Sequence, residues 1–212
     1  MIDSGPGRAG ALPDAAALAA LRAGRLVVFP TETLYGVGCD ALDAAALERL
    51  RAAKRRPDEK GIGVIVGDVA MVDLVAVDVS PDARRLMDAF WPGPLTLLLR
   101  ARPDIPSPLV VDGLIGVRLS SDPDAAALSR ALGRPLASPS ANPSGAEPAL
   151  DAAAARRYFG DLVAAYIERG PIRGAPSTLV DPGPPLRVLR EGAIPTERIE
   201  AVLRAPSGPV TA

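Results

Sequence analysis

Short apolar runs alternate with segments of helical period along most of this chain, and the two are separated by proline, glycine and aspartate. Leu26-Val27-Val28-Phe29 is a compact apolar run of strand length. Before it, Pro13 at a first helical position opens a helix that Gly24 closes. Asp43 caps the next helix, which runs into a basic cluster at Lys54, and the reading then places a strand over Ile62 to Val66. Ser80-Pro81 starts a helix that ends near Trp91, and strands follow at Leu95 to Leu99 and Ile115 to Leu119. Asp122-Pro123 opens another helix, stopped by Gly133. A helix from Asp151, a strand from Leu162, a strand at Thr178 to Val180 and a helix after Pro195 complete the pattern. Such alternation predicts an α/β fold in layers. No internal repeat or long linker divides the chain, so one domain over 13–204 is expected, with loose segments at 1–12 and 205–212.

Composition narrows the chemistry. The 212 residues are 48% hydrophobic with a net charge of −1, so no global positive field draws the chain onto nucleic acid or an anionic membrane, and contact with tRNA is expected to be weak at most. No apolar run is long enough to span a bilayer, and the polar start is unlike a signal peptide. The single cysteine, Cys39, reads as an apolar filler in a reducing compartment, and a cytoplasmic protein is expected. Histidine is absent, which excludes imidazole bases and His-ligated zinc. Any catalysis falls to Lys, Arg, hydroxyls, Asn and carboxylates.

Lysine occurs twice, at Lys54 and Lys60, against 22 arginines. A chain that uses arginine elsewhere keeps lysine where a compact, flexible ammonium is wanted. On one helix, residues 54 and 56 would stand about 200° apart. Pro57 disfavours helix at Arg56, so the helix should end around Arg55, and an extended chain beyond it lets Lys54 and Arg56 converge on one ligand. The alternative is that these cations only answer the dipole of a helix C-terminus. Ser138-Pro139-Ser140-Ala141-Asn142-Pro143 has a similar geometry, because its prolines hold Ser138 and Asn142 extended and leave Ser140 and Asn142 on one side of a stiff loop. A plain polar turn has the same composition. A third stretch, Pro30-Thr31-Glu32-Thr33-Leu34-Tyr35-Gly36, leaves a strand end, where open α/β sheets bind ligands. Gly36-Val37-Gly38-Cys39-Asp40-Ala41 matches a dinucleotide fingerprint in letters, but it lies too far from both strand and helix to work as one. No Gly-x-x-x-x-Gly-Lys-Ser/Thr phosphate loop occurs.

Taken together, these stretches with Phe90-Trp91-Pro92-Gly93-Pro94-Leu95-Thr96, Val117-Arg118-Leu119 and Pro176-Ser177-Thr178-Leu179-Val180-Asp181 resemble, in order, the YrdC-like threonylcarbamoyl-AMP synthase family in its short, single-domain form. The resemblance runs from about Leu18 to Ala201. It implies a twisted mixed sheet flanked by helices around a concave cavity. The implied reaction joins L-threonine, bicarbonate and ATP, with Mg²⁺ carried on the nucleotide, into threonylcarbamoyl-AMP and pyrophosphate, and downstream proteins then transfer the group to tRNA. By the same resemblance, Lys54, Arg56, Ser140 and Asn142 form the catalytic, nucleotide-binding set. Thr31, Thr33, Tyr35, Arg118 and Ser177 line the threonine side and Arg190 the nucleotide side. Many longer members carry Pro-Leu and a histidine where this chain has Gly61-Ile62 and Ile65. Two other functions share the fold: an RNA-binding module and a carbamoyl-transfer domain of the hydrogenase-maturation type.

Overall fold

The computed structural model describes residues 12–55 and 61–205. In chain order the elements are α1 (Ala15–Arg22), β1 (Leu26–Phe29), β2 (Gly36–Asp40), α2 (Ala44–Lys54), β3 (Val64–Val66), α3 (Pro81–Phe90), β4 (Leu95–Arg100), β5 (Val110–Val111), β6 (Leu114–Leu119), α4 (Pro123–Leu132), β7 (Leu136–Ala137), α5 (Ala152–Phe159), β8 (Val163–Tyr166), β9 (Thr178–Asp181), β10 (Arg187–Arg190) and α6 (Thr196–Arg204). The strands form one mixed sheet in the order β10-β9-β4-β6-β3-β7-β2-β1-β8, with β5 paired to β6. Parallel pairs are β1 with β8, β3 with β6 and β4 with β9.

Side-chain caps start most of these helices where the sequence places them. The carboxylates of Asp43, Asp122 and Asp151 and the Ser80 hydroxyl accept from backbone N–H groups in the first turns of α2, α4, α5 and α3. Gly133, in the left-handed region at φ 71°, closes α4. One boundary differs. Asp14, not Pro13, sets the start of α1: its Oδ1 accepts from Ala17 N at 2.8 Å, which leaves Pro13 outside the helix.

Strand alternation divides the core into two layers. Val27, Phe29 and Ile65 point to one face and pack on Ala17 and Leu21 of α1 and Ala125 and Leu128 of α4. Leu26, Val28, Val64 and Val66 point to the other, toward Leu47 and Leu50 of α2 and Leu86 and Met87 of α3.

The largest departure from the sequence reading is β2, a fully buried strand over a segment to which the sequence reading assigned no element. Its glycines serve close packing. A Cβ on Gly38 would lie 2.0 Å from the Ala137 carbonyl oxygen, so only glycine lets β2 and β7 pair at this position. The short strands β7 and β10 also went unread, since two to four residues carry no period. The expected loose segments lie outside the described residues except for Leu12, which is almost fully exposed, and Ala205. Among the described residues no helix is long and apolar enough to cross a membrane.

Candidate active site

Alternation also builds a cavity. On β4, Leu95, Leu97 and Leu99 enter the core while Thr96 and Leu98 face the other way; on β6, Ile115 and Val117 enter the core while Leu114, Gly116 and Arg118 do not. Those second rows, with Gly61, Gly63 and Ile65 of the β3 region, line a cavity of about 970 Å³. Glycine hollows the sheet face here: a Cβ on Gly63 would sit 3.5 Å from Gly116 O and one on Gly116 3.4 Å from Thr96 Cγ2, both ordinary contacts. The remaining walls are the 31–36 segment, the 138–140 and 147–150 loops, and Pro176, Ser177 and β10.

Arg118 is the chief charge in this cavity. It is 8% exposed, and its Nη1 donates to Glu32 Oε1 and to Thr33 Oγ1, each at 3.1 Å. Ser120 Oγ donates to the second Glu32 oxygen. Burial pulls the Arg118 pKa down, Glu32 opposes that shift and the nearby charge of Arg190 adds to it. An anion in the cavity would therefore stabilise Arg118, whose other N–H groups are not taken up by the described residues. Thr31 and Thr33 share a hydroxyl–hydroxyl hydrogen bond of 3.0 Å beside it. Across the cavity, Ser177 Oγ lies 2.9 Å from Thr96 Oγ1, and Arg190 Nη2 donates to Ser177 O at 2.9 Å. Burial also lowers the Arg190 pKa.

Tyr35 is fully buried, and its hydroxyl is committed elsewhere. It donates to Gly170 O at 3.0 Å and accepts from Arg169 N at 2.9 Å, so Tyr35 presents a wall to the cavity rather than its phenol. Lys54, read from sequence as a cation for the nucleotide with a plain helix-end charge as the alternative, is fastened within the protein. It is 2% exposed, and Nζ donates to the backbone carbonyls of Ser140 and Asn142, the latter at 2.5 Å. α2 does stop where Pro57 requires, with Arg55 in the left-handed region at φ 49°. Arg56 lies outside the described residues.

Ser140 and Asn142 do converge, though on each other: Ser140 Oγ donates to Asn142 Oδ1 at 2.6 Å, and Asn142 Nδ2 donates to Ala146 O at 2.6 Å. Ala141 N donates to Tyr35 O at 2.8 Å and Ser144 N to Lys54 O at 2.8 Å, which ties this loop to β2 and to the end of α2. Ser140 lines the cavity, whereas Lys54 and Asn142 stand behind it. Thr31, Thr33, Tyr35, Arg118, Ser140, Ser177 and Arg190 thus share one cavity.

Sequence reasoning missed three participants. Glu32 sits inside a quoted motif, but its role as the partner of Arg118 depends on a contact across 86 residues. Thr96 needed the β4–β9 pairing to meet Ser177. Ser138 Oγ lines the cavity and is the buried side-chain polar atom without a protein partner among the described residues, which makes it available to a ligand. No group of three acidic, Cys or His side chains suited to a metal occurs among the described residues. Trp91 is core, donating from Nε1 to Leu95 O at 2.8 Å.

The chain is similar to known proteins over most of its length. A family model for Sua5, YciO and YrdC proteins, described as telomere recombination, matches residues 19–192. A Mycobacterium tuberculosis (strain H37Rv) protein provisionally named threonylcarbamoyl-AMP synthase is 42% identical over 190 residues, covering 88% of this chain and 87% of its own. The Bacillus subtilis threonylcarbamoyl-AMP synthase is 37% identical over 89% of this chain but only 56% of its own, so the match spans about half of that longer protein. Among solved structures, Pyrococcus abyssi Sua5 complexed with L-threonine superimposes with a TM-score of 0.85 at 34% identity, covering 89% of this chain and 56% of that one. Escherichia coli YciO gives a TM-score of 0.78 at 29% identity, covering 86% of this chain and 90% of that one. HypF structures, at 20% and 22% identity, share the fold alone. With Arg118, Thr33, Ser140 and Ser177 gathered around one cavity and a family match that runs through nearly all of the described residues, this chain belongs to the Sua5/YciO/YrdC family.

Proposed function

We propose that this protein is a threonylcarbamoyl-AMP synthase, a nucleotidyl-transferring enzyme that uses L-threonine, bicarbonate and ATP. The observation that carries this reading is the buried Arg118 guanidinium, paired on one edge with Glu32 and facing a cavity of about 970 Å³, large enough for an amino acid and a nucleotide together. Relatives bearing the synthase name, and a structural neighbour that binds L-threonine, support it.

In this reading Arg118 holds the threonine carboxylate by charge-assisted hydrogen bonds. Thr31, Thr33, Tyr35 and Ser177 line the threonine side, with the Thr33 and Ser177 hydroxyls toward the substrate hydroxyl. The threonine amine adds to bicarbonate, water leaves, and a carbamate forms. One carbamate oxygen then attacks the α-phosphorus of ATP, the bond to the β-phosphate oxygen breaks, and pyrophosphate departs with the electron pair. Such a step depends on alignment and on neutralising phosphoryl oxygens, for which arginine, lysine and hydroxyl donors suffice without histidine. Ser140, Arg56 and Arg190 hold the nucleotide, while Asn142 orients the Ser140 hydroxyl and Lys54 shapes the Ser140–Asn142 loop from behind. Mg²⁺ arrives on the ATP phosphates as part of the substrate. The product passes to the proteins that transfer threonylcarbamoyl groups to tRNA.

Pyrophosphate release with each substrate omitted in turn tests this reading. Formation of AMP-linked threonylcarbamate should require all three, and serine should serve less well, since a methyl contact is worth about 1–3 kcal/mol. ATP turnover indifferent to threonine would end the proposal. Neither an RNA-binding module nor a carbamoyl-transfer domain accounts for that dependence, and a net charge of −1 does not favour the former.

A further inference from the structure

Between β8 and β9 the chain crosses residues 167–177 without regular secondary structure, and the last two of them, Pro176 and Ser177, belong to the cavity wall. This strap is fastened to two residues of that wall. Gly174 N donates to Thr33 O at 3.1 Å, and a Cβ on Gly174 would come within 2.6 Å of the same oxygen, so the two backbones lie in direct contact. Arg169 N donates to the Tyr35 hydroxyl at 2.9 Å, and that hydroxyl donates to Gly170 O at 3.0 Å.

A third fastening comes from outside the cavity. Asp124, in the first turn of α4, is 4% exposed and takes no part in the cavity lining. Both of its carboxylate oxygens accept from one guanidinium: Arg169 Nε reaches Oδ2 at 2.5 Å and Nη2 reaches Oδ1 at 2.8 Å. A carboxylate so far removed from water needs a compensating charge, and Arg169 supplies it from a side chain that is 55% exposed. The two-pronged geometry fixes direction as well as distance. Arg169 therefore joins α4 to the backbone that grips Tyr35.

We infer that Asp124 is a positioning residue for the cavity: through its bidentate pair with Arg169 it holds the 167–177 strap against Thr33 and Tyr35 and so sets the wall on which threonine is received. This rests on the proposed function for its kinetic consequence only. The competing role for an acid in a first helical turn is to answer the helix dipole, which would need no Arg169. Replacing Arg169 separates the two, because it removes the pair while leaving the sequence of α4 intact.

The strap carries its own reporter: Arg173 is exposed while the N–H of Gly174 is held by Thr33 O, so trypsin can cut the bond between them when the segment opens. D124N and R169Q should each raise the rate of cleavage at Arg173, followed by mass spectrometry, by about fivefold or more, since the guanidinium is exposed but the carboxylate it pairs with is buried. Each should also raise KM for threonine by a similar factor with kcat nearly unchanged, and the D124N/R169Q double variant should be no worse than the poorer single one. Should D124N melt much earlier than wild type, R169Q, altered on an exposed side chain, still decides the matter. Cleavage at Arg173 unchanged in R169Q would overturn the inference, as would additive effects in the double variant. If cleavage rises while the wild type shows no threonine-dependent turnover, the functional reading fails and the fastening of the strap stands.

Discussion

Lys54 Nζ lies 2.5 Å from the backbone oxygen of Asn142, so the lysine that ends α2 is fastened to the loop that carries the Ser140–Asn142 pair. The ammonium can satisfy two carbonyls at once because it is a compact charge with three rotatable donors. A planar guanidinium has no room in a position that is 2% exposed.

Lys54→Met should therefore cost stability as well as turnover. Leaving two carbonyls without their donor is worth about 1–3 kcal/mol, read as a lower urea midpoint at unchanged slope. Lys54→Arg should be impaired too, by overpacking. Wild-type stability in Lys54→Met would show that the ammonium does not hold this loop.

Arg118→Lys keeps the charge and loses the fork. Its KM for threonine should rise roughly tenfold or more, in keeping with about 1.5–3 kcal/mol for a charge-assisted hydrogen bond, while ATP binding measured by calorimetry changes little. Equal losses for both ligands would place Arg118 outside the amino-acid subsite.

Two glycines should respond in opposite ways. Gly38→Ala puts a methyl 2.0 Å from the Ala137 oxygen and should destabilise the fold by about 3 kcal/mol or more, since backbone must move. Gly63→Leu meets ordinary contacts at its Cβ and points into the cavity, so the melting temperature should hold while ligand binding is lost. A Gly63→Leu protein with wild-type affinity for threonine and ATP would move the site elsewhere.

Asp122, the cap of α4, titrates in a different range from a free carboxyl. Burial pushes its pKa up to about 6, against the lowering effect of its hydrogen bonds from Asp124 N and Ala125 N. Between pH ~4 and ~6 the folded state then holds a proton that the unfolded chain has released, so this group makes stability fall as pH rises through that window. Asp122→Asn keeps the capping oxygen and has no proton to lose. Its urea midpoint should lack this part of the decline, and identical pH profiles for the two proteins would refute the shift.

Local signals in the sequence determined most helix ends and the longer strands, because a cap, a proline or an apolar run acts within a few residues: Asp43, Ser80-Pro81, Asp122-Pro123 and Gly133 all delimit the helices they announce. Motif order pointed to the family for the same reason, since the segments are contiguous in sequence. Tertiary structure alone decided what those residues do to one another. Gly36 to Ala41 carries the letters of a dinucleotide fingerprint, yet Gly36 to Asp40 is a buried strand whose Gly38 meets β7, a hundred residues on, too closely for a side chain. That Lys54 reaches the carbonyls of Ser140 and Asn142 is decided only when that loop folds over it. Glu32 finds Arg118, Thr96 finds Ser177 and Asp124 finds Arg169 across 45 to 86 residues. Such pairings arise when strands and helices settle into register, and the energy of an ion pair or a close backbone contact depends on that register rather than on distance along the chain.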